Sequence, residues 1–234
     1  MDKKIIAIKK HIDLKKLAKK TWKYILRFNP IVSVASDVHG LQISLFNIST
    51  GKVNGAQIGL LNNCEENVNG VQIGFLNGCA GKVNGAQLSF ISNECNDGLN
   101  GLQFTFFGEN STSTGTNNGL QLVGIGLNYT FNTRGLQCAF LGLNHTYFTV
   151  KGAQVLFGGI NASDNTYGFQ GGIAINGTQA PSKAFQIGIY SSGVLNKKER
   201  TGQLIGQIGI SNSIGIYDQE DQNTILLNLN WIRS

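Results

Sequence analysis

At 234 residues with 41% hydrophobic content the chain can bury a sizeable core, and it fits one large all-β domain. Thirty-one glycines without a three-residue period exclude a collagen-like rod, and the apolar content excludes a disordered chain. The net charge of +6 is local: residues 1–27 hold ten Lys/Arg and two Asp, while residues 28–234 hold nine Lys/Arg and eleven Asp/Glu, so no nucleic-acid partner is expected of the main body.

Residues 4–28 carry Leu14, Leu17, Ala18, Trp22, Ile25 and Leu26 at helical spacing, and Lys15, Lys16, Lys19, Lys20, Lys23 and Arg27 largely fill the other face. This predicts a basic amphipathic helix within residues 1–30, stopped by Pro30 because the residue before a proline avoids the α region. Two roles fit such a helix. In the first it lies on an anionic membrane surface, with Trp22 at the headgroup level and Lys15, Lys16, Lys19, Lys20, Lys23 and Arg27 pairing with phosphates. In the second it caps the open end of a repeat stack.

From Ile31 the apolar period changes from 3.6 to 2, and residues 31–234 form the second expected unit, a β-repeat domain. Residues 53–90 read VNGAQIGLLNNCEEN, VNGVQIGFLNGCAGK and VNGAQLSF, a phrase with a period of 15. Its glutamine recurs at Gln42, Gln57, Gln72, Gln87, Gln103, Gln121, Gln137, Gln154, Gln170 and Gln186, and again at Gln207. Ala56, Ile58 and Leu60 share one face of a strand, and Gly55, Gln57 and Gly59 share the other. In-register neighbours would therefore stack Gln57, Gln72, Gln87 and Gln103 as a structural ladder of amides. Asn-Gly before the strand at 54–55, 69–70, 84–85, 100–101 and 118–119 marks tight turns.

Between the repeat glycine and the closing asparagine there are six residues in the first half (Gly55 to Asn62) and eight in the second (Gly119 to Asn128). A gain of two keeps side-chain parity, as strands of one sheet require. Polar turns are expected at 110–118, 163–166 and 197–201, a hairpin-like element at 129–134, and a closing strand at 224–232. The count is about 11–12 strands from a 15–17-residue repeat. A curled up-and-down meander or barrel is the first reading, and a β-solenoid with one coil per repeat is the alternative.

The phrase VNGxQIGxxN, at 53–62 and 68–77, resembles the tandem repeats of a loosely defined group of bacterial surface repeat-containing proteins. The similarity is close over residues 53–93. It implies a β-rich repeat domain and cell-surface placement, and it carries no established activity and no catalytic residues. The chain departs from that group in showing no leader pattern or lipid-attachment cysteine at its start, so export by the general secretory route is not expected.

The acids fall in turns, and His11, His39 and His145 are far apart from one another and from the cysteines. Cys64, Cys79, Cys95 and Cys138 follow the repeat and form no Cys-x-x-Cys pair, which favours buried thiols over a metal site. No catalytic residue, cofactor or metal is therefore assigned. The expectation is a non-enzymatic repeat protein, peripherally membrane-associated through its N-terminal helix, serving as a structural or interaction module with an anionic membrane surface, a protein partner or itself. A pore-forming barrel is the second reading, although a strand of the length 56–60 spans only about 13 Å against the apolar band of about 25 Å that a transmembrane barrel needs. A β-solenoid binding protein with the helix as end cap is the third.

Overall fold

In the computed structural model, which describes residues 26–181, 184–196, 204–217 and 225–230, every pairing between strands is parallel. The strands are β1 (Leu26–Phe28), β2 (Val32–Ala35), β3 (Leu41–Ile43), β4 (Phe46–Ser49), β5 (Ala56–Ile58), β6 (Leu61–Cys64), β7 (Val71–Cys79), β8 (Lys82–Val83), β9 (Ala86–Cys95), β10 (Gly98–Leu99) and β11 (Leu102–Asn117). They continue as β12 (Leu120–Thr133), β13 (Leu136–Val150), β14 (Ala153–Thr166), β15 (Phe169–Pro181), β16 (Phe185–Asn196), β17 (Leu204–Tyr217) and β18 (Ile225–Asn230). No helix occurs among the described residues.

The fold is a parallel β-solenoid. A meander pairs neighbouring repeats antiparallel, so the meander and barrel reading is corrected: each residue faces its own equivalent one coil on, as in Gln57↔Gln72 and Asn62↔Asn77. Parallel stacking lets every amide meet the same amide above and below, which reversed neighbours could not do. Among the described residues the strands number 18, above the expected 11–12, because the early coils break at a corner into two short strands, such as β5 and β6.

Each coil has three sides that send rows of side chains inward. The first side carries the glutamines. After the corner, the second side carries a row of asparagines and, two residues on, the row Ser49, Cys64, Cys79, Cys95, Thr112, Thr130, Thr146 and Ser163. The third side carries Val38, Val53, Val68, Val83, Leu99, Asn117, Thr133, Val150 and Thr166. All of these are buried. Backbone bonds continue through the turns, with Asn69 N–H donating to Val53 O at 2.7 Å and Asn84 N–H to Val68 O at 2.7 Å. Gly70 sits where the turn of one coil rests on the turn of the next, and a Cβ there would overlap the carbonyl oxygen of Gly55.

Several local expectations change. The two-residue gain is made of single steps at the corner, between Ser89 and Ser92 and between Thr105 and Glu109, each absorbed as an irregularity in the pairing. A corner can take one residue without inverting the next strand, because the asparagine row beyond it holds its own register. From β11 onward the corner carries glycines at positive φ, Gly126 at 145° and Gly142 at 141° among them, a conformation that side chains resist. Residues 110–117 and 163–166 are strand, and 129–133 belongs to β12, so these polar turns and the hairpin are not formed. Residues 225–230 of the expected closing strand are extended and pair with β17. The last residues of the expected helix, 26–28, form β1, which pairs with β3. Residues 1–25, with Lys15, Lys16, Lys19, Lys20, Trp22 and Lys23, lie outside the described residues, as does the turn 197–201.

Candidate functional site

The interior of the solenoid is built from amides. Gln57 Nε2 donates to Gln42 Oε1 at 2.9 Å, Gln72 to Gln57 at 2.8 Å, Gln87 to Gln72 at 2.7 Å and Gln103 to Gln87 at 2.8 Å. The ladder continues through Gln121, Gln137, Gln154, Gln170 and Gln186 to Gln207. The asparagine ladder runs the other way: Asn47 Nδ2 donates forward to Asn62 Oδ1 and Asn62 to Asn77 Oδ1, both at 2.8 Å. Backbone carbonyls set both directions. Each asparagine also donates to a carbonyl of the next coil, Asn62 to Ile73 O at 2.8 Å, and Gln87 donates to Glu94 O at 3.1 Å. Two opposed chains of amide dipoles thus share one interior, and a buried amide left unpaired would cost about 1–3 kcal/mol.

With the amides inside, the period of two sends the large apolar side chains outward. Ile58, Ile73 and Phe104 stand on the outer surface of the first side, and Leu45, Leu60, Phe75, Phe90 and Phe106 stand at the corner, where Phe106 is 50% exposed. Phe75 lies 5.4 Å from Phe90, and Phe90 stacks on Phe106 at 5.7 Å. Phe140 stacks on Phe157 at 4.9 Å further along. The segments forming this side and corner in successive coils are 41–46, 56–61, 71–76, 86–92, 102–109, 120–127, 136–143, 153–160, 169–175 and 185–190, and Glu109, in register with Leu127, is the one Asp, Glu, Lys or Arg among them. In the second half the apolar surface continues around the corner, where Phe131 and Phe148 pack at 4.3 Å and Tyr147 is exposed.

Ten coil spacings of about 4.8 Å by a width of some five residues at about 3.3 Å give this side roughly 800 Å². Ordinary monomers carry largest patches of about 300–600 Å².

The rim of this side is polar and free of acids. Entering the first side, successive coils place His39, Asn54, Asn69, Asn84, Asn100, Asn118, Arg134 and Lys151 at one exposed position. Its asparagines form a third, external ladder, with Asn69 Nδ2 on Asn54 Oδ1 at 2.8 Å and Asn84 Nδ2 on Asn69 Oδ1 at 2.9 Å. Glu65, Glu66, Glu94 and Asp164 lie beyond the corner, Glu109 stands at the corner in register with Leu127, and Asp37 and Asp97 fall in the turns that precede His39 and Asn100.

Cys64, Cys79 and Cys95 are buried in one row as free thiols. Cys64 and Cys79 Sγ donate to Gly51 O and Glu66 O at 3.1 and 3.0 Å. Hydrogen bonding between Cys64 and Cys79, with burial added, pushes Cys79 well above the usual thiol range, and burial pushes Cys95 up to about 11. Cys79 and Cys95 therefore keep their protons, while the hydrogen bond with Cys79 lowers the Cys64 thiol. His145 stacks on Tyr129 at 5.1 Å, and burial lowers its pKa while Asp164 pulls the other way. Among the described residues no three His, Cys, Asp or Glu side chains converge as a metal-binding group. No helix of the described residues is long and apolar enough to cross a membrane, which does not bear on strands.

Of the residues singled out in the sequence, Gln57, Gln72, Gln87 and Gln103 are brought together as the ladder. Arg27 lies in β1 opposite Gln42. The asparagine and valine rows and the acid-free rim are further features, each visible in the sequence once the 15-residue period is carried past the glutamines. The chain matches no family model, no curated protein and no solved structure.

Proposed function

We propose that this chain is a non-enzymatic interaction module, a rigid β-solenoid whose working surface is its apolar side. One observation carries the reading: the amides occupy the interior and the Ile, Leu and Phe rows stand outside, over most of the length of the solenoid. The apolar rows are not needed to fill the core, so their retention through ten coils calls for something that covers them. The ladders supply the rigidity that such a surface requires, because each coil is tied to both neighbours by side-chain as well as backbone bonds. The chemistry-bearing side chains are either locked in rows, as the cysteines are, or spread over separate turns, as the acids are.

The test is binding of an apolar dye, 8-anilinonaphthalene-1-sulfonate, to the folded full-length protein. Strong fluorescence with a native β circular-dichroism spectrum is expected, together with a several-fold loss in the Phe75→Ser, Phe90→Ser, Phe106→Ser variant at unchanged melting temperature. A folded protein that neither binds the dye nor associates with any partner or copy through these residues would end the proposal.

A further inference from the structure

We infer that the occupant of the apolar side is the interfacial layer of an anionic lipid bilayer, with the solenoid lying lengthwise on the membrane. This rests on the interaction-module reading above and deepens it.

Hydrocarbon tolerates backbone only where its polar groups are paired. A solenoid side meets that condition, because strand bonds run along the axis from coil to coil. Even the corner is paired: Leu60 and Leu61 N–H both donate to Leu45 O, at 2.9 and 3.0 Å, and Phe75 and Leu76 N–H both donate to Leu60 O at 3.0 Å. A lipid-facing side could therefore sink its Ile, Leu and Phe side chains without burying an orphaned amide.

The charges agree with an anionic surface. The rim leading into the apolar side ends in Arg134 and Lys151 without an acid, placed where long cationic side chains can reach headgroup phosphates while their stems lie on apolar surface. The acids Glu65, Glu66 and Glu94 are beyond the corner, away from that rim, and the corner itself holds one acid, Glu109. The chain enters the solenoid on the same side: Leu26 and Phe28 of β1 register with Leu41 and Ile43 and extend the apolar rows by one rung. Residues 1–27, with ten Lys/Arg and two Asp, thus join the fold at one end of the apolar side. Apolar burial together with a polybasic segment makes the two-signal arrangement that membrane attachment takes.

Shape separates lipid from a second copy. The apolar surface is convex, since it covers the first side and turns the corner at Phe75, Phe90 and Phe106. Two rigid convex surfaces related by a twofold axis cover one side each and leave the corner bare. Fluid lipid conforms to both.

The experiment uses the full-length chain with phosphatidylcholine vesicles, with and without phosphatidylserine. A solvatochromic dye is attached in a Cys138→Ser background at Phe106→Cys or at Glu66→Cys, and the acyl chains carry a nitroxide quencher. Binding to the phosphatidylserine vesicles is expected, with the dye at position 106 quenched and that at 66 not. Phe75→Ser and Phe90→Ser should each weaken partitioning about tenfold, and Arg134→Gln with Lys151→Gln should reduce only the preference for phosphatidylserine. Binding that high salt abolishes, with no quenching at 106, would mean that the basic segment alone touches lipid and would overturn the proposal. Absence of vesicle binding, with a dimer that Phe90→Ser disperses, would also overturn it while leaving the interaction module standing with a second copy as occupant. Absence of vesicle binding, dye binding and association would remove both.

Discussion

Between residues 41 and 101 each coil is short, and the inner row beside the corner holds Gly59, Gly74 and Ser89; from residue 102 the same row holds Thr105, Val123, Ala139 and Leu156. The cause is the cross-section. In the short coils a Cβ at Gly74 would meet Gly59 O and come within 2.8 Å of Asn62 Nδ2, and the row takes nothing larger than Ser44 and Ser89. Two residues added at the corner open the coil, and Val123, Ala139 and Leu156 fill the space as a small apolar cluster. The other rows change in step. Cys64, Cys79 and Cys95 give way to Thr112, Thr130, Thr146 and Ser163, and Val53, Val68 and Val83 give way to Asn117 and Thr133. Hydroxyls replace methyls and thiols without loss because they pair, as Thr133 does with Thr130 at 2.7 Å and with Thr146 at 2.8 Å. Core filling is therefore negotiable between the halves, and the two amide ladders are what both halves keep.

The sharpest break in that comparison would come from the ladders. Replacing Gln57, Gln72 and Gln87 with leucine, or Gln121, Gln137 and Gln154 with leucine, should cost about 5 kcal/mol in either half, from orphaned amides at about 1–3 kcal/mol each. Losses of that size approach the whole stability of a domain. Urea denaturation measures both, and a large loss in one half with none in the other would show that the ladder is not the common scaffold.

Next in size is the row beside the corner. Gly74→Val should cost about 3 kcal/mol by overpacking, whereas Leu156→Ala should cost about 2 kcal/mol by leaving a cavity. Tolerance of valine at 74 would contradict the account of coil width.

The cysteine row predicts a pH slope in the first half. Burial holds the Cys95 thiol up to about 11, against an ordinary value of 9.0. A raised thiol pKa means the folded state keeps a proton that the unfolded state releases, so this contribution to stability is full below pH 9 and is lost as pH rises toward 11. Urea midpoints across that range should fall less in Cys95→Ser than in the parent. The smallest effect is expected from Glu65→Gln, Glu66→Gln and Glu94→Gln together, within about 0.5 kcal/mol per site, as for ordinary surface positions.

Much of this was legible in the sequence. The 15-residue period placed the glutamines in a ladder, and the strict alternation separated them from Ile58, Ile73 and Phe75. Strand direction was not legible, because a repeat of 15 residues can be one coil or one leg of a meander, and the drifting turn lengths resemble hairpins of varying size. The corner hid the rest. A one-residue insertion between Ser89 and Ser92 reads as a parity error in a flat sheet and is harmless where the chain turns. The functional side was visible as an apolar face, yet periodicity alone does not say whether such a face points inward. That depended on the interior being narrow enough for amides to span it.

The orientation of that face is the central claim, and thiol reactivity tests it most directly. In a Cys138→Ser background, single cysteines at Gln72, Ile73, Phe75 and Asn77 of the dilute folded protein should divide into an inner and an outer pair. Those at 73 and 75 should react with a small maleimide at the rate of the unfolded chain, and those at 72 and 77 should be protected by orders of magnitude. Protection at 73 and 75 with free reaction at 72 and 77 would place the apolar rows inside and contradict the account.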